Sequence, residues 1–171
     1  MAKKAAKSVK KAVKSVKKAV KSVKPIPDGY HSLTPYLICD GAAKAIEFYK
    51  KTFGAVETVR MDAPGGKIGH AEVRIGDSML MVADEHPEMD ARSPRSLGGS
   101  PASICLYVKD VDAVYARAVG AGAKAKRPVS DQFYGDRAGT VEDPFGHTWH
   151  IHTHTEDLTP EEITRRMPKG S

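Results

Sequence analysis

The same order of secondary-structure signals occurs twice along this chain of 171 residues. In each half, a short apolar strand precedes an amphipathic helix, and three more short strands follow, separated by turn residues. A repeat of whole elements constrains the fold more than any single motif does. It predicts an α+β protein built from two tandem βαβββ modules, at about residues 28–86 and 101–157.

The first module is predicted to open with an apolar strand at 33–39 and to continue with a helix between Asp40 and Gly54. Asp40 is a typical N-cap residue, and glycine is the typical residue just past a helix end. Apolar side chains recur between these two positions at helical spacing. The three strands that follow are predicted at 56–61, 70–75 and 79–83.

The second module repeats this order with a strand at 104–108 and a helix whose predicted N-cap is Asp110. A polar linker at 84–100, rich in proline and glycine, separates the modules. Residues 161–171 are interpreted as a C-terminal tail. The last three strands are predicted at 126–129, 137–142 and 147–153.

The positive charge of the chain is concentrated at its N-terminus. The whole chain carries 27 basic and 21 acidic side chains, a formal charge of +6. Residues 1–24 contain no acid, so residues 25–171 carry a formal charge of −4. We predict a basic arm and proline linker over residues 1–27, either disordered or helical. Its ten lysines are Lys3, Lys4, Lys7, Lys10, Lys11, Lys14, Lys17, Lys18, Lys21 and Lys24.

The arm repeats the motif KSVKKAV at 7–13 and 14–20, which would place alanine and valine in one narrow stripe of a helix. Three interpretations stay open. The arm is a solvated tail, a non-specific binder of nucleic-acid phosphates, or a helix on an anionic membrane surface. The alternation of Lys, Ala, Val and Ser resembles the basic tails of linker histones and bacterial histone-like proteins.

Composition narrows the class of protein. No run approaches the roughly 18 apolar residues of a membrane span, and no apolar segment of about 7–15 residues suggests a secretory signal. The two cysteines, Cys39 and Cys105, are too few for a disulfide scaffold and indicate a reducing compartment, so we expect a cytoplasmic protein. Both lie in apolar predicted strands and are predicted to be buried.

Three segments carry a family resemblance: TPYLICDGAAKAIEFYKKTFGA at 34–55, HAEVRIGDSMLMVADE at 70–85 and YGDRAGTVEDPFGHTWHIHTHTED at 134–157. With the duplicated βαβββ order, they resemble the vicinal oxygen chelate superfamily, which includes glyoxalase I, bleomycin-resistance proteins and extradiol dioxygenases. Within it, they are similar to the PhnB-like branch. The resemblance implies a curved half-barrel sheet around a cavity, with modules paired within a chain or across a homodimer.

Metal-dependent members of this superfamily place one His, Gln or Glu ligand on each of four strands. The resemblance carries these positions to Thr34, Met81, Ser103 and His150. Only His150 is a good ligand for a divalent ion, because hydroxyls are weak ligands and thioethers favour soft metals. The conventional four-ligand site is therefore predicted to be absent.

The last predicted strand contains three alternating histidines, His150, His152 and His154, which share one face. Neighbours two apart lie about 6.6 Å apart along a strand. His150 and His152 are therefore candidate ligands for a divalent metal outside the family pattern, completed by His70 or Glu72. In the alternative interpretation, these histidines form hydrogen bonds at the cavity wall and strand end.

Two classes of function stay open for the body. The first is a non-catalytic small-molecule binding module, like the bleomycin-resistance proteins. The second is a metal-dependent lyase, isomerase or dioxygenase-type enzyme with His150 as ligand or general base. Asp136 and Arg137 either fix the loop before the seventh strand, or Arg137 receives an anionic substrate. The candidate substrate-binding residues are Thr34, Tyr36, Met81, Ser103, Tyr134, Arg137 and His150.

Overall fold

A computed structural model describes residues 23–168 of the chain, and the repeating part of the arm lies outside them. Module one contains β1 (Tyr36–Cys39), α1 (Ala42–Phe53), β2 (Val56–Ala63), β3 (Lys67–Ile75) and β4 (Ser78–Asp84). These strands form sheet one in the order β1-β4-β3-β2. β1 runs parallel to β4, and the other pairs are antiparallel.

A one-turn helix, α2 (Pro94–Leu97), lies in the linker between the modules. Module two contains β5 (Ser103–Tyr107), α3 (Val111–Gly120), β6 (Lys124–Asp131), β7 (Asp136–Glu142) and β8 (Thr148–His154). Its strands form sheet two in the order β5-β8-β7-β6, with β5 parallel to β8. A last helix, α4 (Pro160–Arg166), occupies the region interpreted as a tail. The α+β class and both βαβββ modules are thus confirmed.

The start of α1 is held by an aspartate from the far end of its own module. The prediction of Asp40 as N-cap is wrong, because the N-cap is Gly41 and no side chain caps the helix from that position. Instead, the buried Asp84 carboxylate at the end of β4 accepts the N–H groups of Gly41 at 2.9 Å and Ala42 at 2.7 Å. Its other oxygen accepts the N–H of Ile68 at 2.7 Å. Asp84 therefore satisfies free helix donors and ties α1 to the sheet.

Asp110 and Gly54 behave as predicted. The Asp110 carboxylate accepts the N–H of Ala113 at 3.0 Å at the start of α3. Gly54 ends α1 in the left-handed conformation, with φ of 68°, and its N–H bonds to the Tyr49 carbonyl. This conformation is one that glycine adopts without steric cost.

One hydrophobic core serves both modules. It joins the inner faces of both sheets with the apolar sides of α1 and α3. Trp149 of β8 packs against α1, with ring centroids 4.6 Å from Phe53 and 5.4 Å from Tyr49. Because both sheets turn one face to this shared core, each turns its other face away from it.

A buried aspartate, Asp143, lies at the centre of this junction. One of its oxygens accepts the Tyr49 hydroxyl at 2.8 Å and the Trp149 indole N–H at 2.9 Å. The other accepts the backbone N–H groups of Phe145 and His147, both at 2.9 Å. A buried carboxylate needs such donors to offset its lost hydration. Burial, followed by the charge of Asp143, raises the pKa of Tyr49 well above its ordinary value.

Both cysteines lie on edge strands, but Cys39 points into the core and Cys105 points away from it. Cys39 is buried as predicted, and burial raises the pKa of its thiol to about 12. The prediction for Cys105 is wrong, because its side chain is exposed. β5 is an edge strand whose alternate residues Ser103, Cys105 and Tyr107 face away from the core. Within residues 23–168, no helix is long and apolar enough to cross a membrane.

We predict that Tyr49→Phe lowers the free energy of unfolding by about 1–3 kcal/mol, because it removes one donor from the buried Asp143 carboxylate. Urea denaturation followed by circular dichroism measures this difference. Tyr115→Phe is the matched control, because its ring packs against Gly139 while its hydroxyl has no partner within residues 23–168. Equal losses in the two variants would contradict the importance of the Tyr49–Asp143 bond.

Candidate functional site

The face of sheet two that points away from the core, here called open face two, carries most of the polar side chains predicted for the site. Strand alternation places His150 and His152 on this face, opposite Cys105 and Tyr107 of β5. On the other side of β8, Thr140 lies opposite His150 and Ala138 opposite His152. The face therefore combines two imidazoles with hydroxyl and thiol groups.

Asp136 is the hub of this face. Its buried carboxylate accepts hydrogen bonds from Tyr107 Oη at 2.9 Å, His152 Nδ1 at 3.0 Å and His154 Nδ1 at 2.8 Å. Burial alone would raise the pKa of Asp136, but the bonds from His154, Tyr107 and His152 outweigh it and lower the pKa. Asp136 thus stays ionised and fixes three side chains from two other strands.

The pKa values of two partners of Asp136, Tyr107 and His154, are raised. The hydrogen bond to Asp136 raises the pKa of Tyr107 to about 12, so its hydroxyl stays protonated. The pKa of His154 is also raised, first by its bond to Asp157 and then by its bond to Asp136. Its two ring nitrogens lie 2.9 Å and 2.8 Å from these carboxylates. Both nitrogens of His154 are therefore occupied.

His150 differs from its neighbours. Its Nδ1 lies 3.0 Å from the Thr140 hydroxyl rather than beside a carboxylate. Burial lowers the pKa of His150, and the nearby His152 and Arg127 lower it further. Arg127 of β6 lies opposite Thr140, so it belongs to the same row of residues across the sheet. His150 is consequently uncharged near neutral pH.

Two aromatic rings border the His152 imidazole. The ring centroid of His152 lies 5.2 Å from that of Tyr107 and 6.4 Å from that of Tyr134. Burial, followed by the charge of Asp136, raises the pKa of Tyr134. Tyr134, a predicted substrate-binding residue, therefore lies beside His152. Tyr107 and Thr140 were not predicted as site residues. Their positions opposite the histidines follow from period-two alternation only once the register of the strands is known.

Sheet one has a corresponding face, here called open face one. Tyr36 Oη lies 3.1 Å from His70 Nδ1, and His70 Nε2 lies 3.4 Å from Glu72. Met81 is the register partner of both Tyr36 and Glu72. A hydrogen bond to Glu72 raises the pKa of Tyr30 to about 12. Each open face therefore contains a tyrosine, a histidine and a carboxylate.

The register of the strands shows which residues lie beside two of the predicted ligand positions, Met81 and His150. Tyr36, not Thr34, is the β1 partner of Met81, and Thr34 precedes the strand. In module two, Cys105 is the partner of His150, whereas Ser103 pairs with Thr148. Cross-strand pairing therefore places Tyr36 beside Met81 and Cys105 beside His150, each two residues along the chain from Thr34 and Ser103.

The resulting donor set does not fit a family metal centre. A phenol, a thioether, a thiol and one imidazole are poorly matched ligands for a hard or borderline divalent ion. His70 and Glu72 lie on sheet one, away from His150 and His152 on sheet two. Among residues 23–168, no three His, Cys, Asp or Glu side chains are arranged to hold a metal ion.

Arg137 lies apart from open face two. Its guanidinium donates to both Asp112 oxygens at 2.7 and 2.8 Å and to Asp131 at 2.9 Å. These bonds raise its pKa further above its ordinary value. They join β7 to the first turn of α3 and to the end of β6. The structure therefore gives Arg137 the contacts of a fixing residue, the first of its two predicted roles.

A separate cleft lies between the modules. Its volume is about 980 Å³, and apolar side chains from both modules line most of it. Phe53 and Trp149 line it together with Leu106 of β5. The opposite wall comes from the turn between β3 and β4. This cleft borders the exposed edge of β5 and reaches Tyr107 and His154 at one end.

Comparisons with known proteins agree with the fold. The chain is 44% identical to the uncharacterized protein Mb0911c of Mycobacterium bovis over 139 residues, 80% of this chain and 91% of that protein. Among solved structures, TioX from Micromonospora sp. ML1 is 27% identical with a TM-score of 0.57, covering 71% of this chain and 97% of its own. PA1353 from Pseudomonas aeruginosa is 26% identical with a TM-score of 0.59, and the match covers 72% of this chain and 98% of PA1353.

The model of one protein family matches residues 29–151, which include both modules almost entirely. Its extent agrees with the two βαβββ units and with the shared core between them. The chain therefore belongs to the Glyoxalase/Bleomycin resistance protein/Dioxygenase superfamily.

Proposed function

We propose that this protein binds a small organic molecule on open face two, using side-chain hydrogen bonds in place of the metal centre of its superfamily. The observation that carries the proposal is the Asp136 hub, which fixes His152 and Tyr107 on a face where most side chains are only partly covered. Buried carboxylates that orient imidazoles are a common feature of ligand-binding and catalytic sites. The tyrosine and histidine rings offer flat surfaces for packing.

We further propose a homodimer in which open face one of a second copy covers open face two. Tyr107 is 61% exposed and Tyr36 is 49% exposed, so neither face encloses a ligand alone. Ligand sites bury most of a small molecule's surface, which requires a covering element. Open face one is suited to this role, because it adds Tyr36, His70 and Glu72 to the polar groups of open face two.

An acid–base enzyme that uses His150 is the second candidate function. The lowered pKa of His150 keeps its imidazole uncharged near neutral pH, which a general base requires. In the metal-dependent form of this candidate, His150 would hold a divalent ion. Turnover distinguishes the enzyme from a binding module, and metal content distinguishes the two forms of the enzyme.

We predict that small hydroxy-, keto- and carboxyl-containing fragments shift the imidazole signals of His150 and His152 in ¹⁵N NMR spectra. His150→Ala should weaken the bound fragments about tenfold, the effect of one lost hydrogen bond. His86→Ala is the matched control, because His86 bonds to Glu88 in the linker.

Two outcomes would contradict this proposal. One is equal fragment affinity in wild type, His150→Ala and His86→Ala. The other is a full equivalent of zinc or nickel per chain in untagged protein, lost together with fragment binding in His150→Ala. Less than a tenth of an equivalent of metal would agree with a site without metal.

We also propose that residues 1–24 bind nucleic acid without sequence preference, in a reducing cytoplasm. Ten lysines and no acid over 24 residues support this, next to a body of opposite net charge. Of these lysines, the structure describes Lys24, which forms an exposed ion pair with Asp28 at 2.6 Å. The valine and alanine stripe, and the helix expected from it, fall in the repeat outside the described residues.

We predict that DNA affinity falls about 10³- to 10⁵-fold between 50 and 200 mM salt, as expected for about 6–10 neutralised phosphates. Fluorescence anisotropy with two unrelated duplexes measures this slope and the lack of sequence preference. A variant lacking residues 1–24 should lose the binding. Retention of DNA by that variant, or a binding preference for anionic vesicles over DNA, would refute the proposal.

A further inference from the structure

A small pocket, here called the linker pocket, lies where the chain crosses from module one to module two. Its volume is about 200 Å³, and its walls come from β1, from the linker with α2, and from the starts of β5 and β8. Two polar side chains that the proposed function does not use line this pocket, Arg92 and His147. The histidines of open face two do not line it.

His147 connects the two modules through one of its ring nitrogens. It lies in the turn between β7 and β8, and it is 7% exposed. Its Nε2 lies 3.2 Å from the carbonyl oxygen of Ile38 in β1 and 3.7 Å from the sulfur of Cys39. Because a carbonyl oxygen only accepts hydrogen bonds, Nε2 carries the proton and donates it to Ile38. Burial lowers the pKa of His147, so the ring is uncharged and Nδ1 holds a lone pair.

The second ring nitrogen of His147 is an acceptor that faces the linker pocket. Among the described residues, no group donates a hydrogen bond to Nδ1. The same residues contain no fully buried side-chain nitrogen or oxygen without a partner. Nδ1 therefore reaches an accessible surface, and the linker pocket is the surface that His147 lines. An acceptor in the wall of a pocket favours a ligand with an N–H or O–H group.

The electrostatic field at His147 favours a cationic donor. The buried carboxylate of Asp143 accepts the backbone N–H of His147 at 2.9 Å. Its negative charge acts against the lowering of the His147 pKa by burial. Solvent and salt screen a buried charge much less than an exposed one. An ammonium group at Nδ1 would therefore be held by a charge-assisted hydrogen bond and by the field of Asp143.

The opposite charge comes from Arg92 in the linker. Its guanidinium Nε lies 3.8 Å from the carboxylate of Asp90, and these two side chains are 50% and 97% exposed. An ion pair this long and this exposed is weak, so Arg92 is able to donate to an anion in the pocket. The free side of β1 adds backbone N–H groups to the same wall, because β4 pairs only with its other side.

We propose that the linker pocket binds a free α-amino acid with a short side chain, its carboxylate on Arg92 and its ammonium group on Nδ1 of His147. The volume equals that of about seven water molecules at roughly 30 Å³ each, which suits an amino acid the size of alanine. Pro94 and Leu97 supply apolar surface for the short side chain. Because this pocket lies apart from open face two, the inference does not rest on the proposed function.

The ligand class is tested by NMR titration of the full-length protein with L-alanine, propionate and ethylamine. Propionate lacks the ammonium group, and ethylamine lacks the carboxylate. We expect L-alanine to shift the backbone signals of residues 92–104 with a dissociation constant on the order of 1 mM. Each analogue should bind about tenfold more weakly. Equal binding of propionate and L-alanine, or no shift by L-alanine well above this concentration, would overturn the inference.

The carboxylate end is tested with Arg92→Gln, which changes an exposed side chain. It should weaken L-alanine about tenfold and leave ethylamine unchanged, because only L-alanine has the group that Arg92 binds. Arg95→Gln is the matched control, because Arg95 is an exposed arginine of α2 outside the pocket lining. The inference fails if the two variants bind L-alanine equally well.

The ammonium end is tested without substituting the buried His147, by ¹⁵N NMR of the imidazole rings. The free protein should contain neutral His147 with its proton on Nε2. L-Alanine should shift the Nδ1 signal of His147, and propionate should not. A proton on Nδ1 in the free protein, an unshifted Nδ1 signal with L-alanine, or a shift confined to His150 and His152 would each overturn the inference.

Discussion

The buried carboxylate of Asp143 is the interaction on which the arrangement of the two modules depends. It accepts bonds from Tyr49 of module one and Trp149 of module two, and two backbone N–H groups of its own turn. Removing a charge from water is unfavourable unless such donors surround it, so the junction is specific as well as apolar. Because the modules meet through α1, α3 and the inner sheet faces, both outer faces are left for binding.

The proposed function follows from this division of faces. Strand alternation sends Trp149 and Ile151 into the core and His150 and His152 outward, so one seven-residue strand contributes both to the core and to the proposed binding face. Asp136 then acts on open face two much as Asp143 acts in the core, since each carboxylate accepts hydrogen bonds from side chains of two other elements. The difference is that Asp136 leaves one ring nitrogen of His152 without a partner among the described residues, whereas the Trp149 N–H and the Tyr49 hydroxyl both donate to Asp143.

The sequence was sufficient for the order of elements, since period-two and helical spacing are local signals. Asp110 and Gly54 were predictable because a cap acts within a few residues. Asp84 was not, because it caps α1 from more than 40 residues away along the chain. Cys105 is exposed because it lies on the side of β5 that faces away from the core, which the apolar pattern did not reveal. The strand partners of Met81 and His150, and the contacts of Asp136 with Tyr107 and His152, depend on tertiary pairing, which local patterns do not give.

The most direct test of the central claim is a crystal structure of the protein soaked with a bound fragment, with anomalous data collected above the zinc and nickel edges. The account predicts the fragment on open face two between His150 and His152, covered by open face one of a second copy, with no anomalous peak there. A metal ion coordinated by His150, or a fragment confined to the apolar cleft between the modules, would contradict it.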